Sequence, residues 1–538
     1  MEKDTKGSGT AGIRFLTGLW AFLMMTVFPF YMRNHYSKMG VHKSNFFLAV
    51  SVLCLVPAAL LWVGQMILDG NKPEKRAAGQ RPGGKKALSA LDIAVLLYMG
   101  AAVLSWAVSV DRRQAFTGIK GWSMGLGAQL LFGLIYFLVS RQFPWKKIIF
   151  TGHFLASGAV FVLGILHRFL IDPLGMYEGI DEYYHLLFLS TIGQASWYSS
   201  YVCTVLVIGV TIFFLSKKPV LRIAMGVYCM LGFATVVTQN SDSAFAAMAF
   251  LFFGLFLAAC DSLDKMERFF ETVLLMLGSF KIMGVLQELF SERALQLGRL
   301  SEFLSKSTMT WILFLAVCLV YMAFLLYRQK HPDREKPGCG KALRLISMIL
   351  VPLFLFLYVF AVWANTTGHL QEWFGITGNS QYFLFDRYWG NSRGFSWKFT
   401  WETFLEFPPL RKLFGVGPDC FSVYCYREEE LAAKLNHFFG HNQNLINAHN
   451  EFLNTLFNLG ILGLIPFVMI FAAAVLRFFK NRKQMPLALM GMLAALVYAA
   501  HNFFCYQQVC CTPFLFLILG MAENLLRNGQ KTAADYLP

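Results

Sequence analysis

Ile446-Asn447-Ala448-His449-Asn450-Glu451-Phe452-Leu453 runs on through Gly460 and Gly463 into an apolar stretch that ends near Leu476. That stretch is long enough to cross a bilayer, for which roughly 20 apolar residues suffice. A histidine and several amides therefore stand at the mouth of a membrane-length helix. Polar side chains there are costly unless they serve a purpose, so the boundary marks a site.

The rest of the chain sets that boundary in a membrane protein. Of 538 residues, 56% are hydrophobic and 16% aromatic, with only 14% charged, against about 25% charged in soluble domains. Apolar runs of membrane length recur near 13–32, 45–68, 89–109, 122–140, 148–170, 187–215, 219–239, 243–260, 268–290, 308–327, 344–364, 450–476, 485–504 and 512–527. The expected fold is thus an all-α, polytopic protein of about fourteen transmembrane helices. Residues 1–364 would carry the first eleven, 365–448 a large hydrophilic segment, and 449–538 the last three. The first run resembles a signal sequence but is too long and lacks a small-x-small cleavage site, so it reads as a membrane helix.

The net charge of +16 does not point to nucleic acid. Its basic residues come in bursts between apolar runs: Lys72, Lys75, Arg76, Arg81, Lys85 and Lys86; Lys146 and Lys147; Lys217 and Lys218; Arg328, Lys330, Arg334, Lys336 and Lys341; Lys480, Arg482 and Lys483. If every run crosses, all fall on one side, which the positive-inside rule makes the cytoplasm, with both termini. The acidic turn Asp172, Glu178, Asp181, Glu182 and the segment Asn365–Ala448 then lie outside the plasma membrane. Most of the eleven cysteines sit as small fillers in apolar runs. Cys420 with Cys425, and Cys505 with Cys510 and Cys511, stand where an oxidising exterior allows pairing.

The hydrophilic segment is too long for an ordinary connector and too aromatic for a disordered linker. Phe395, Phe399 and Trp401 fall at helical spacing, which predicts a short amphipathic helix on the outer leaflet, within a folded cap over a membrane cavity.

Four stretches resemble the O-antigen ligase and O-antigen polymerase family of polytopic membrane glycosyltransferases. They are Ser109-Val110-Asp111-Arg112-Arg113 with Gly118 and Gly121; Gly193-Gln194-Ala195-Ser196-Trp197-Tyr198-Ser199; Arg393 and Trp397 followed by Pro408-Pro409 and Phe414-Gly415-Val416-Gly417-Pro418; and His449-Asn450, Leu453, Gly460, Gly463. Arg393 to Phe467 is the specific part. The resemblance implies transfer of a glycan from a polyprenyl-diphosphate-linked donor to an acceptor hydroxyl on a glycan or lipid, among membrane lipids, without cofactor or metal. It implies substrate contacts from Arg112, Arg113, Lys120, Gln194, Trp397, Trp401 and Asn447. Ligase, polymerase and protein O-glycosyltransferase share these motifs. In one place the chain departs from the family. Thr238-Gln239-Asn240-Ser241-Asp242-Ser243 carries aspartate where the family often has a phosphate-binding arginine, so Arg112, Arg113, Lys120 or Arg299 must substitute, or the substrate differs.

The residues support such chemistry on their own terms. Asn447 as an N-cap would set His449 in the first helical turn, where the positive helix end favours a neutral imidazole that can take a proton from a hydroxyl. Asn450 would help fix its geometry. Positions 449, 453, 456, 460, 463 and 467 would share one face, with Gly460 and Gly463 permitting close helix approach. The competing reading of the same residues is a polar helix cap with tight packing. Arg393 offers a guanidinium fork for a departing diphosphate, or else a headgroup contact. His437, His441 and His449 have spacing a metal could use, but amides surround them instead of carboxylates. Lys281 and Glu288 could face a cavity or pair within the bundle. No phosphate loop of the Gly-x-x-x-x-Gly-Lys type occurs, so ATP is not indicated. A flippase or exporter of lipid-linked glycan is the alternative function. A transporter gathers its polar residues near the bilayer midplane, whereas these collect at one edge.

Overall fold

Each apolar run coincides with a helix, and the chain is an all-α polytopic membrane protein. The computed structural model describes residues 2–70, 88–332, 335 and 338–529. The basic cluster from Lys72 to Lys86, with Gly83 and Gly84, and Arg334 and Lys336, lie outside the described residues. Among the described residues ten helices are long and apolar enough to cross a membrane. Leu126–Gln142, Ser243–Ala259 and Pro486–Asn502 are shorter, and Thr512–Asn528 has 17 residues. Length is thus satisfied by ten helices, short of the fourteen expected.

Burial differs widely among the helices. Thr512–Asn528 is buried almost throughout, and it packs on Leu126–Gln142 with Phe516 stacked on Phe132 at 5.7 Å. A Cβ at Gly520 would come within 2.8 Å of the Val139 side chain, so a glycine is what lets these two helices approach. Ala195–Leu215 runs through the centre, 94% of its apolar window buried, which is why it is apolar all round. At the other extreme, the windows of Thr308–Lys330 and Gly340–Thr366 are 6% and 0% buried. These two helices stand at the periphery.

Ion pairs tie helix ends together. Asp92, at the start of Ala90–Ala107, accepts from Tyr136 Oη at 2.8 Å and Arg141 at 3.1 Å, and pairs with Arg527. Glu523 pairs with Arg477 and with Arg527 at 2.9 Å. Asp261 holds Arg344 and Arg482, each at 2.7 Å. Carboxylates removed from water persist when paired in this way. Lys281 and Glu288 do not form such a pair: Lys281 Nζ donates to the carbonyls of Ser305 and Ser307.

The 365–448 segment folds into short helices, His369–Phe374, Trp389–Glu406, Pro409–Phe414, Phe421–Arg427 and Glu429–Phe439. Trp389–Glu406, Phe421–Arg427 and Glu429–Phe439 share an apolar cluster with the start of the Glu451–Asn481 helix, containing Phe399, Phe404, Phe407, Phe421, Leu435 and Phe457. The amphipathic helix predicted around Phe395 and Phe399 forms, but its aromatic face is turned into this cluster, with Phe395 stacked flat on Phe438 at 3.9 Å. Cys420 and Cys425 are buried fillers, and all eleven cysteines are free, so the pairings considered from sequence do not form.

Candidate functional site

Gly460 determines how the 365–448 segment meets the bundle. Glu451–Asn481 is two helices joined at Gly460, whose backbone (φ 69, ψ −171) leaves the helix. That break frees carbonyls just before it, and the Gly415-Val416-Gly417 strip takes them up: Val416 N–H donates to Phe457 O at 3.2 Å and Gly417 N–H to Asn458 O at 2.9 Å. Ser105 Oγ also donates to Asn458 O, at 2.8 Å. A Cβ at Gly460 would lie 2.3 Å from Leu413 O, and one at Gly415 2.3 Å from Asn458 O. Both glycines are required by backbone-to-backbone contact. The single helical face expected through 449, 456, 460 and 467 therefore does not exist, because the helix direction changes at its middle.

The N-cap of this helix is Asn450, not Asn447. Asn450 Oδ1 accepts from Phe452 N–H at 2.9 Å and Leu453 N–H at 3.1 Å. His449 consequently stands just before the first turn instead of in it, with φ 51, a left-handed conformation that a non-glycine residue adopts only when its neighbours hold it. Asn447 is one such neighbour, its Oδ1 accepting from His449 N–H at 3.0 Å. Trp397 is another, its Nε1–H donating to His449 O at 3.4 Å. The Tyr506 ring meets the imidazole edge to face at 5.2 Å. Burial, and after it the charge of Arg393, hold the imidazole down at about 4, so it is neutral at neutral pH.

Arg393 follows three left-handed residues, Gly390, Asn391 and Ser392, and begins the regular part of its helix. The turn is enforced by Gly394, where a Cβ would meet Asp386 O at 1.9 Å. Its Nε–H donates to Phe504 O at 2.9 Å, and Nη1 donates to Gly390 O. Both partners are neutral carbonyls, and among the described residues Arg393 forms no salt bridge, so its positive charge stays uncompensated. The charge reaches His449 and Asp242. Asp242 accepts from Tyr382 Oη at 3.4 Å, and Tyr382 in turn feels Arg299.

The other candidates divide. Trp397 is locked in an aromatic cluster with Trp389 at 5.2 Å and Phe503 at 5.5 Å, and works as a brace for His449. Trp401, one turn on, is exposed and stacks on Phe404. Gln194 caps Ala195–Leu215, accepting from Ser196 N–H at 2.9 Å; it reaches the site through Trp197, whose Nε1–H donates to Tyr506 Oη at 3.3 Å. Arg112, Arg113 and Lys120 are exposed. Arg112 donates to Ala107 O at 3.1 Å, and none of the three bonds to His449 or Arg393 among the described residues.

A family model described as O-antigen ligase matches residues 294–468, the span that holds Arg393, Trp397, His449 and Asn450. The chain carries an O-antigen ligase domain. No curated protein matches the chain. The match supports a membrane glycan-processing function of the O-antigen ligase kind.

Beside Asn447 and Tyr506, the residues that hold and pack on His449, lies a polar cavity whose other residues the sequence did not single out: Asp419, Glu451, Tyr98 and Gln507. Glu451 had a readable signal, a carboxylate inside a membrane-length helix. It is 2% exposed, and its oxygens accept from Thr455 Oγ1 at 3.1 Å and Gln507 N–H at 2.6 Å. Asp419, Tyr506 and Gln507 had none, since only folding brings the 419 turn to the chain after Asn502.

Proposed function

We propose that the protein transfers a glycan from a polyprenyl-diphosphate-linked donor to the hydroxyl of another glycan or of an anchor lipid, at the outer face of the plasma membrane. His449 takes the proton of the attacking hydroxyl, and its neutral state at physiological pH suits it to do so. Arg393 receives the diphosphate as its bond to the sugar breaks. Its Nε and Nη1 are spent on backbone carbonyls, which fix the guanidinium plane and leave Nη2 to the ligand, a preorganised charge of the kind that stabilises a developing anion. Direct displacement inverts the anomeric carbon. Asn447 and Asn450 hold the left-handed backbone of His449, and the 365–448 segment serves as lid. Arg299, exposed and without an ion pair among the described residues, supplies the second positive charge on the Asp242 side.

The observation that carries this reading is the shared wall: the chain that fixes Arg393 through Phe504 O continues directly to Tyr506, which packs on His449. The test is His449→Ala in membranes given donor extracted from cells lacking the protein. Transfer should fall by about 100-fold or more, as for other positioned acid–base groups. Wild-type transfer by a folded variant would remove His449 from the chemistry.

A further inference from the structure

The hydroxyl proton cannot rest on His449. An imidazolium there would be half-buried and would face the Arg393 charge, so a proton sink is needed nearby. We propose that Asp419, on the polar cavity beside Asn447 and Tyr506, is the residue to which His449 passes that proton.

Three observations single it out. Asp419 lies on the cavity wall with Asn447 and Tyr506, the two residues that hold and pack on His449. Its Oδ2 is anchored by Ile119 N–H at 2.7 Å and Met124 N–H at 3.2 Å, while Oδ1 has no hydrogen-bond partner among the described residues. Glu451, the other carboxylate of the cavity, has both oxygens engaged. The amide oxygens around them are also taken: Asn458 by Cys420 N–H, Gln507 by Gln129, Gln129 by Tyr98 Oη. Among the described residues no group of three or more His, Cys, Asp or Glu side chains could hold a metal ion, whereas a proton needs only the one free oxygen. A cavity so lined is polar enough to hold the water that carries the proton across.

The energetics run in the right direction. Burial pushes the Asp419 carboxyl up to about 7, partly countered by its two backbone donors, while His449 is held at about 4. The groups facing Asp419 are Tyr98 and Glu451 across the cavity, Tyr506 on its wall, exposed Lys120 on the turn that anchors it, and Cys420 with the Asp111–Arg427 pair behind it. The step balances. The hydroxyl oxygen bonds to the anomeric carbon, the sugar–oxygen bond to the diphosphate breaks with its electron pair leaving on the diphosphate, and the proton goes to His449 and then to Asp419 Oδ1. Asp419 acts through His449 and touches no substrate. This rests on the transferase reading above.

The test is turnover of the purified full-length protein from pH 5.5 to 9, with the extracted lipid-linked donor as probe and release of lipid diphosphate as readout. Wild-type kcat should rise with pH through about 7, because only ionised Asp419 accepts. Asp419→Asn should lower kcat by about 100-fold and flatten that rise, with acceptor KM unchanged. A variant with the wild-type rate, or a slow one that keeps the wild-type pH rise, overturns the proposal. If the variant does not fold, the wild-type profile decides: no inflection near 7 overturns it. His449→Ala with wild-type activity would remove His449 from the chemistry and overturn the relay, whereas absence of glycan transfer by the wild-type protein would sink the transferase assignment itself, whatever Asp419→Asn shows.

Discussion

Arg393 Nε donates to the carbonyl of Phe504 at 2.9 Å, a bond that joins the 365–448 segment to the chain leaving the Leu489–Asn502 helix. One guanidinium thus both fastens the lid and presents charge to the site. Replacing it with lysine keeps the charge but loses the planar fork and the fixed donor geometry. Arg393→Lys should weaken donor use by about 10- to 100-fold while leaving acceptor KM in place, since a hydrogen bond to a charged group contributes on the order of 1.5–3 kcal/mol. Unchanged donor affinity would remove Arg393 from the diphosphate site.

Gly460→Ala should be among the most damaging single changes. Its φ of 69 and the 2.3 Å approach to Leu413 O leave no room for a Cβ. The expected loss is roughly 3 kcal/mol or more, read as a lower melting temperature in detergent. A variant as stable as wild type would mean that the 413–417 strip does not dock on the broken helix.

Asp419→Asn should stabilise the fold at alkaline pH. A carboxyl near 7 in the folded chain and near 3.9 unfolded binds more protons folded than unfolded between those values. Stability from this group is therefore present at low pH and lost as pH rises through about 7. The loss starts near pH 4 and is complete above about 7, so the melting advantage of the asparagine variant over wild type should be larger at pH 8 than at pH 5. Equal melting shifts at both pH values would contradict the raised carboxyl.

Trp397 and Trp401 should separate brace from contact. Trp397→Ala removes the donor to His449 O and the core of an aromatic cluster, so both turnover and stability should fall, the latter by about 3–5 kcal/mol. Trp401→Ala removes an exposed ring and should leave the melting temperature within about a degree, in line with surface changes near 0.5 kcal/mol. Loss of donor binding in the second variant alone would identify Trp401 as a sugar or lipid contact.

Much of this molecule could be read from its sequence, for physical reasons. Apolar length and periodicity are local properties, and every apolar run became a helix. Ser/Asn caps and Gly-rich strips are local too, yet their roles were assigned one step off. Asn447 and Asn450 are both good cap residues, and only the left-handed His449 between them decides which one caps. Gly460 reads equally well as a helix-packing glycine or as a break; the carbonyl of Leu413, distant in sequence, is what demands the break. Phe504, Tyr506 and Asp419 could not be found at all, since their roles exist only where separate segments converge.

Thr308–Lys330 and Gly340–Thr366, the two helices that lead into the 365–448 segment, turn most of their apolar surface away from protein, with 6% and 0% of their apolar windows buried. Their footing is the hydrocarbon around them. Tilt and height of such helices follow the thickness of the surrounding lipid, so the bilayer sets the footing of the segment that carries Arg393. The same polypeptide should then turn over at different rates in short-chain and long-chain lipid discs, with its His449 chemistry untouched.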